Sequence, residues 1–291
     1  EIGYFDNVYV VVDLQRIDRE WLADWEGQTR DEPENRNAYL YFGHEDRDDY
    51  WEDVQDYTST VATEHNPEAI ILGMEMNLYY EQNPLDWSSF IQFFWAAYDA
   101  IKAANPDVRV SVGINWHYFM DWQVSNYVMD GEMYDDVAPF MRAYTDIIEP
   151  LVYRYDDTGA IVDTIDFVAL AGIPDPDIYS SPYEVPEFHY GALRYVYPEG
   201  SLPVVWFQLG WPVSSPASSA PGQFYDHFVD NTGGITLEAF SWWGLSHLLE
   251  GDCTPITDAA VGADQTACYR GLYSNSGAET ALSEKYFSND E

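Results

Sequence analysis

The chain has 291 residues, 46% of them apolar, so it can bury a large core as one large domain or two small ones. It carries 51 acidic residues against 12 basic ones, a net charge of −39 that repels phosphate backbones and excludes nucleic-acid binding. The apolar runs, such as those at residues 8–12 and 203–207, are far too short to span a membrane.

Six apolar, β-rich runs predict buried strands. In chain order these runs cover residues 7–15, 68–77, 108–116, 163–174, 201–211 and 234–245. Helical patterns lie between them and in the tail, and the main ones cover residues 48–67, 84–107, 135–155 and 222–232. The clearest is the second of these helices, in which Phe90, Phe94, Ala97 and Ile101 share one face and Pro106 marks the end.

Strands that alternate with helices at this spacing predict parallel strands joined by right-handed crossovers. Two architectures have this pattern, a (β/α) barrel and an open doubly wound sheet. No glycine-rich phosphate loop follows the first strand, which argues against a nucleotide-binding sheet. No linker or repeat divides the chain, so we predict a single α/β domain over residues 1–291 and favour a TIM-type barrel.

The predicted strand ends form a polar and aromatic rim above apolar strands. Barrel enzymes place their chemistry at the carboxyl ends of the strands. The residues at these ends include Asp13, Glu75, Asn77, Asn115, Trp116, His117, Asp175, Gln208, Trp211, Trp242 and Trp243. Functional side chains are therefore expected among them.

Two strand ends carry a resemblance. Glu75 in LGMEMNLYY and Gln208 in WFQLGWP resemble the fourth- and seventh-strand carboxylates of the retaining glycoside hydrolases of clan A, and the segment GLYSNSGAETALSEKYF is similar to their closing segment. The resemblance covers most of the chain from residue 7 onward and implies a (β/α)8 barrel. The six predicted strands would be strands three to eight. Either the first two precede Glu1, or a partner segment or chain completes the barrel, or the strand count is wrong.

The resemblance implies that Glu75 is the acid/base and that position 208 is the nucleophile site of a double-displacement mechanism. Such enzymes hold two carboxyl groups about 5–5.5 Å apart. Met74 and Met76 give Glu75 an apolar setting, which favours the protonated carboxyl group that an acid needs. Met74 departs from the family, where an asparagine usually precedes the acid/base. The structural alternative for Glu75 is an exposed ion pair at a strand end.

Gln208 is the larger departure from the family, because an amide is a poor nucleophile. Losing the carboxylate is expected to lower the rate on the order of 10³-fold or more. Gln208 is therefore natural in a protein that is inactive or uses another group, or it was engineered. A structural glutamine hydrogen-bonded at a strand end is a further alternative. Glu238 on the last strand is a candidate replacement carboxylate.

Aromatic and polar side chains near these positions are candidate sugar contacts, because pyranose faces stack on aromatic rings and their rims bind amides and hydroxyls. These candidates are Asn77, Tyr79, Trp116, His117, Trp211, Trp242 and Trp243. Aromatic residues make up 17% of the chain, so some of the candidates belong to the core by default. His117 could instead orient the nucleophile position or cap a strand.

The two cysteines, Cys253 and Cys268, lie in one late loop. A disulfide between them fits an oxidising compartment, and two unpaired buried thiols are the alternative. No Cys/His cluster has zinc spacing, so we predict no metal and no cofactor. The charge fits a surface adapted to high salt or an ordinary acidic protein, secreted or extracellular in location.

The leading prediction is an extracellular glycosidase-type barrel that acts on a polysaccharide or oligosaccharide with retention. The alternative is a catalytically inactive homologue that binds glycans or builds an extracellular assembly. The lost nucleophile, the lost asparagine and the two uncounted strands favour this alternative. A small-molecule α/β enzyme is disfavoured, since the chain has no Gly-x-Ser-x-Gly elbow and no phosphate loop.

Overall fold

A computed structural model describes residues 8–14, 41–43, 47–133, 136–175, 177–196, 202–211, 219–233 and 235–242. The chain divides into two compact units, each assembled from two stretches of sequence. The first unit contains Glu1–Asn115 and Thr145–Ala169, and the second contains Trp116–Tyr144 and Leu170–Glu291. That the whole chain is a single domain stays a prediction.

The described residues form nine β-strands, which are β1 (Tyr9–Val12), β2 (Ala69–Leu72), β3 (Arg109–Ser111), β4 (Gly113–Asn115), β5 (Tyr153–Tyr155), β6 (Ile161–Thr164), β7 (Val168–Ala171), β8 (Val204–Leu209) and β9 (Leu237–Trp242). The same part of the chain forms nine α-helices, which are α1 (Arg47–Glu64), α2 (Met76–Gln82), α3 (Trp87–Ala104), α4 (Trp116–Tyr118), α5 (Val137–Ala143), α6 (Glu149–Val152), α7 (Glu187–Gly191), α8 (Leu193–Val196) and α9 (Ala220–Asn231).

In the first unit, three short strands form a parallel sheet in the order β1-β2-β3. Val10 lies opposite Ile70, which in turn lies opposite Val110. Every residue of β2 is buried, as expected for an apolar, largely β-branched strand covered on both faces. Helix α1 packs against α3, and the four residues predicted to share a face of α3 are all buried. The predicted parallel strands and the predicted inner face of this helix are confirmed.

Three predicted strands in this part of the chain need correction. The strand expected at 68–77 ends before Gly73, where a φ of +77° turns the backbone, and α2 begins at Met76. The strand expected at 108–116 divides into β3 and β4. The strand expected at 163–174 divides into β6, which pairs antiparallel with β5, and β7. Apolar runs alone did not show these interruptions.

In the second unit, β8 pairs in parallel with β9. An aromatic cluster forms much of its core: the rings of Tyr190, Trp206, Phe224 and Phe228 contact one another. All four side chains are fully buried. Part of the large aromatic content of the sequence is therefore core, as expected.

The predicted helix at 135–155 is interrupted. Helix α5 ends at Ala143, a π-helical segment follows at Tyr144–Ile148, and α6 restarts at Glu149. Pro150 lies in the first turn of α6. Proline lacks the N–H group that a continuous helix needs at this point, and it is tolerated only in a first turn, so it forces the restart.

Candidate active site

Glu75 lies in the turn between β2 and α2 and precedes the first residue of that helix. Its backbone is left-handed, with φ 57° and ψ 41°. For a residue with a Cβ atom this conformation costs about 1–2 kcal/mol. The side chain is half-buried, and its Oε1 accepts a hydrogen bond of 2.8 Å from Nδ2 of Asn115. The fold therefore strains the backbone of Glu75 and orients its carboxylate.

The turn is tied to both neighbouring strands. The N–H of Gly73 donates to the carbonyl of Val12 at 2.7 Å, and the N–H of Gly113 donates to the carbonyl of Gly73 at 3.0 Å. A Cβ atom on Gly73 would lie only 2.5 Å from the side chain of Met76. Only glycine fits this position, so the approach to Glu75 is fixed by the backbone.

Asn77 and Asn115 form a paired amide contact beside Glu75. The N–H of Asn115 donates to Oδ1 of Asn77 at 2.8 Å, and Nδ2 of Asn77 donates to the carbonyl of Asn115 at 3.0 Å. Asn77 is fully buried, so it holds Asn115 while Asn115 orients Glu75. Its predicted contact with sugar stays a prediction without support from its exposure. The strand-end position of Asn115 was the available signal for its role as an orienting residue.

Tyr79 is also fully buried. Its hydroxyl donates to Oδ2 of Asp86 at 2.6 Å, and its ring packs at 5.2 Å from that of Phe42. Burial, followed by the hydrogen bond to Asp86, raises the pKa of Tyr79 well above its ordinary value. As placed, this hydroxyl braces α2 and is turned away from solvent, so its predicted contact with sugar also stays a prediction.

A groove of about 680 Å³ is lined by residues 82–86 and by Tyr41 and Gly43. Its wall includes Leu85, which is almost fully exposed. The predicted site residues do not line it. We therefore assign it no part in the candidate site.

Gln208 is the fifth residue of β8 and is half-buried. Its amide oxygen Oε1 is buried and has no hydrogen-bond partner among the described residues. A buried acceptor left in this state costs about 1–3 kcal/mol. The alternative of a glutamine kept for a structural hydrogen bond therefore finds no support at this oxygen.

Glu238 does not take the place of Gln208. Val204 lies opposite Leu237, whereas Leu209 lies opposite Trp242. Glu238 is thus at the start of β9, while Gln208 is near the end of β8. At roughly 3.3 Å per residue, the two levels differ by about 10 Å along the sheet. The rescue carboxylate considered from the sequence is on the wrong end of its strand.

Three of the predicted sugar contacts in the second unit, Trp116, His117 and Trp211, are buried. Trp116 is 1% exposed, and its Nε1 donates to the carbonyl of His189 at 2.7 Å. Trp211 is 4% exposed and packs at 5.4 Å on the ring of Phe224. His117 is 1% exposed. These positions belong to the core as placed, and their contact with sugar stays a prediction.

The remaining predicted site residues lie at the edge of the described part of the chain or beyond it. The backbone of Trp242 closes β9, but its side chain is outside the described part. Trp243, Cys253 and Cys268 lie outside the described residues. Their roles in sugar binding and in a disulfide therefore stay predictions.

The second unit brings together a polar cluster that the sequence did not predict. Ligand atoms of His117, Asp121 and His189 all lie within 4.8 Å of one another, and all three residues are buried. His117 and Asp121 are four residues apart, but His189 comes from α7 much later in the chain. A search for short zinc-ligand spacings cannot find such a set.

No protein-family model matches the sequence. No curated protein matches it at a significant level. None of the helices in the described part has the length and apolar character needed to cross a bilayer.

Solved structures do resemble the chain. A GH5 subfamily 18 protein from Streptomyces cattleya in complex with GlcNAc aligns with a TM-score of 0.60 at 14% identity, over 98% of this chain and 63% of its own length. The exo-β-1,4-mannosidase from Opitutaceae bacterium strain TAV5 gives 0.54 at 13% identity, over 85% of this chain and 40% of that one. The GH53 catalytic domain of Ignisphaera aggregans aligns with a TM-score of 0.53 at 13% identity, over 95% of this chain and 72% of its own length.

These likenesses show the fold. The chain has an α/β fold of the TIM-barrel type, like these solved structures, as predicted from the sequence. It spans less than two thirds of the length of the mannosidase and of the GH5 protein. Identities near this level do not transfer an activity, so the function has to come from the residues of this chain.

Proposed function

We propose that this protein acts on β-linked glycans in the manner of a retaining glycoside hydrolase, with Glu75 as acid/base and position 208 at the nucleophile site. The observation that carries the proposal is Glu75 itself, which has a strained left-handed backbone and a carboxylate oriented by a hydrogen bond from Asn115. Left-handed backbone in a residue other than glycine clusters at functional sites, because the surrounding structure has to hold it there.

The roles follow from the chemistry of double displacement. Glu75 would protonate the departing glycosidic oxygen and then, as a carboxylate, take a proton from the attacking water. The amide of Asn115 donates to Oε1 at 2.8 Å and so helps to fix the orientation of the carboxyl group. The nucleophile would come from position 208, as the resemblance to clan A implies.

Gln208 limits this route in the present sequence, since an amide does not form a stable glycosyl intermediate. Glu238 lies at the wrong end of β9 to replace it. These two observations favour a second candidate function, a glycan-binding protein without turnover. The mannosidase and the GlcNAc complex among the similar structures indicate β-mannosides and GlcNAc-containing glycans as the first ligands to test. Both candidates place the protein outside the cell, in keeping with its acidic surface.

The test restores the carboxylate with Gln208→Glu in the full chain. Hydrolysis of β-mannosides, β-glucans and aryl glycosides is measured by product release, with the anomeric outcome followed by NMR. We expect a gain on the order of 10³-fold or more over the parent, with retention of configuration. Adding Glu75→Gln should remove the gain, and it should do so least for aryl glycosides, which need little acid assistance.

Gln223→Glu on α9 is the matched control, because it makes the same chemical change elsewhere in the second unit. It should leave the rate at the parent level. A folded Gln208→Glu variant that hydrolyses no glycan would rule out the retaining mechanism. Calorimetric binding of a glycan by that variant and by the parent would then support the second candidate, and absence of binding would reject both.

A further inference from the structure

We propose that His117, His189 and Asp121 form a binding site for a divalent transition metal of the zinc type in the second unit. The three residues offer two imidazole nitrogens and one carboxylate oxygen. Imidazole selects zinc, cobalt, nickel or iron over calcium and magnesium, which prefer all-oxygen ligands. The site is separate from the carboxylate assigned to catalysis, and the metal would stabilise the fold.

The rings of His117 and His189 are buried, and the described residues offer them no hydrogen-bond partner. Nδ1 and Nε2 of both His117 and His189 have no hydrogen-bond partner among the described residues. Each ring nitrogen is a donor or an acceptor, and leaving one unsatisfied in a core costs about 1–3 kcal/mol. A metal ion takes the lone pair of one nitrogen in each ring, so it accounts for two of these four nitrogens.

His227 shows that the same unit can satisfy a buried histidine in the ordinary way. It is 9% exposed. Its Nε2 lies 2.9 Å from the carbonyl of Val185, and its Nδ1 lies 3.2 Å from Nδ2 of Asn231. The absence of partners at His117 and His189 is therefore a property of their site and not of buried histidines in this fold.

The protonation state of the two rings agrees with this geometry, which by itself carries the proposal. Burial, followed by the neighbouring His189, holds the pKa of His117 well below its ordinary value. Burial, followed by His227, lowers the pKa of His189 to about 3. Both rings are therefore neutral near pH 7, which is the form that binds metals. The 3.6 Å separation of His189 Nδ1 from Asp121 Oδ1 is for the same reason not an ion pair.

The carboxylate of Asp121 is held in position by a hydrogen bond from a neighbouring side chain. The hydroxyl of Tyr179 donates a short hydrogen bond to Oδ1 of Asp121. Outer hydrogen bonds of this kind orient metal-binding carboxylates in proteins. Asp121 itself lies in a π-helical segment, Phe119–Gln123, and such segments are frequent at functional sites.

The geometry needs only a small adjustment. The rings of His117 and His189 are 4.8 Å apart at their centres and inclined by 29°. Tetrahedral zinc has bonds of about 2.0–2.1 Å to nitrogen, which puts its ligand atoms about 3.4 Å apart. Ring rotations that bring the present separations of up to 4.8 Å to that value are within reach of side-chain motion. The hydrogen bond from Trp116 to the carbonyl of His189 already joins the two segments.

The test uses the full chain after treatment with a chelator. Zn²⁺ binding is measured by equilibrium dialysis, and Co²⁺ is added as a spectroscopic probe, both in excess Mg²⁺ to occupy the many surface carboxylates. We expect one metal per chain, a higher melting temperature, and the visible absorption of four-coordinate Co²⁺ with nitrogen ligands. Asp121→Asn and His189→Gln should each weaken binding by about 100-fold or more, whereas the control His227→Gln should not.

Two outcomes would overturn the proposal. The first is a parent protein that gives no visible Co²⁺ spectrum and no stoichiometric Zn²⁺ binding. The second is unchanged affinity in Asp121→Asn and His189→Gln, which would assign any bound metal to surface carboxylates. Because the Co²⁺ spectrum is recorded on the parent protein, it decides the matter even where a variant fails to fold. Glycosidase activity is not the readout, so this result is independent of the proposed function.

Discussion

Around Glu75 in the first unit, the side-chain amide of Asn77 donates to and accepts from the backbone of Asn115, and the side-chain amide of Asn115 donates to the glutamate. Around His117 in the second unit, four buried ring nitrogens have no partner among the described residues. Both clusters are polar, but Glu75 is half-buried whereas His117 is fully buried. The two clusters show two roles for polar side chains inside a protein. Hydrogen bonds within the Glu75 cluster position a side chain, whereas the unpaired ring nitrogens of the His117 cluster fit the ligand site proposed above.

The difference also shows where strain is stored. At Glu75 the strain is in the backbone, with a left-handed residue held by a turn that is tied to two strands. At His117 the backbone is helical, and the cost is carried by unsatisfied side chains. Backbone strain is expected to be relieved by changing the turn, whereas unsatisfied nitrogens are relieved by a ligand or by an apolar residue. Substitutions can test each half.

The largest effect is expected from Gly73→Ala. The new Cβ atom would lie 2.5 Å from the side chain of Met76 at a φ of +77°. The left-handed penalty and the clash together should lower the free energy of unfolding by about 3 kcal/mol, measured by urea denaturation. Gly159→Ala is the matched control, because its φ is +81° and nothing lies within 4 Å of the new atom.

The control should lose only about 1 kcal/mol, from the conformational penalty alone. Equal losses at the two glycines would mean that the turn before Glu75 is not rigid. The proposal that a rigid turn holds Glu75 in a strained backbone conformation would then be wrong, although the description of the fold would be unaffected.

A smaller loss of stability is expected from Asn77→Ala, and no loss from His117→Leu. Asn77→Ala removes both hydrogen bonds to the backbone of Asn115 and should cost about 2 kcal/mol. In chelated protein, His117→Leu removes unsatisfied nitrogens at similar volume, so it should leave the free energy of unfolding unchanged or raise it. Both are measured by urea denaturation. A reversed order would remove the distinction between the two clusters.

The sequence predicted the fold and the placement of Glu75 after a strand, because these depend on local patterns. Apolar runs identified β1, β2, β8 and β9, and the parallel pairing of β8 with β9 followed from their alternation with helices. The sequence did not predict that β2 ends before Gly73, where φ is positive, or that a new helix begins near Pro150. An apolar run does not record where the backbone turns within it.

The candidate site was predicted less well, for a physical reason. Trp116 and His117 follow a strand, where a barrel presents its functional residues, yet both are buried. Whether a strand-end aromatic faces solvent depends on what packs over it, here α7 with His189 and Tyr190. The meeting of His117 with His189 is a tertiary contact between distant segments. Spacing rules for metal ligands reach only residues that are close in sequence.

The smallest expected effect is at a third polar cluster, exposed at the hairpin between β5 and β6. Oδ1 of Asp156 accepts hydrogen bonds from the hydroxyl and N–H of Thr158 and from the N–H of Ala160. The hydroxyl of Thr158, followed by these N–H groups, lowers the pKa of Asp156 below its ordinary value. Since the folded pKa is depressed, the turn is favoured above the unfolded pKa and loses that contribution as the pH falls through the folded one.

Carboxyl ¹³C NMR across an acid titration measures this directly. The pKa of Asp156 should lie below its ordinary value, and Thr158→Ala should raise it, because the substitution removes the first of the contributing hydrogen bonds. Titration of Asp156 at or above its ordinary value would show that satisfied acceptors in this protein are not held by their donors. The contrast between the Glu75 and His117 clusters would then lose its basis, since it assumes that the short contacts around polar atoms persist in solution.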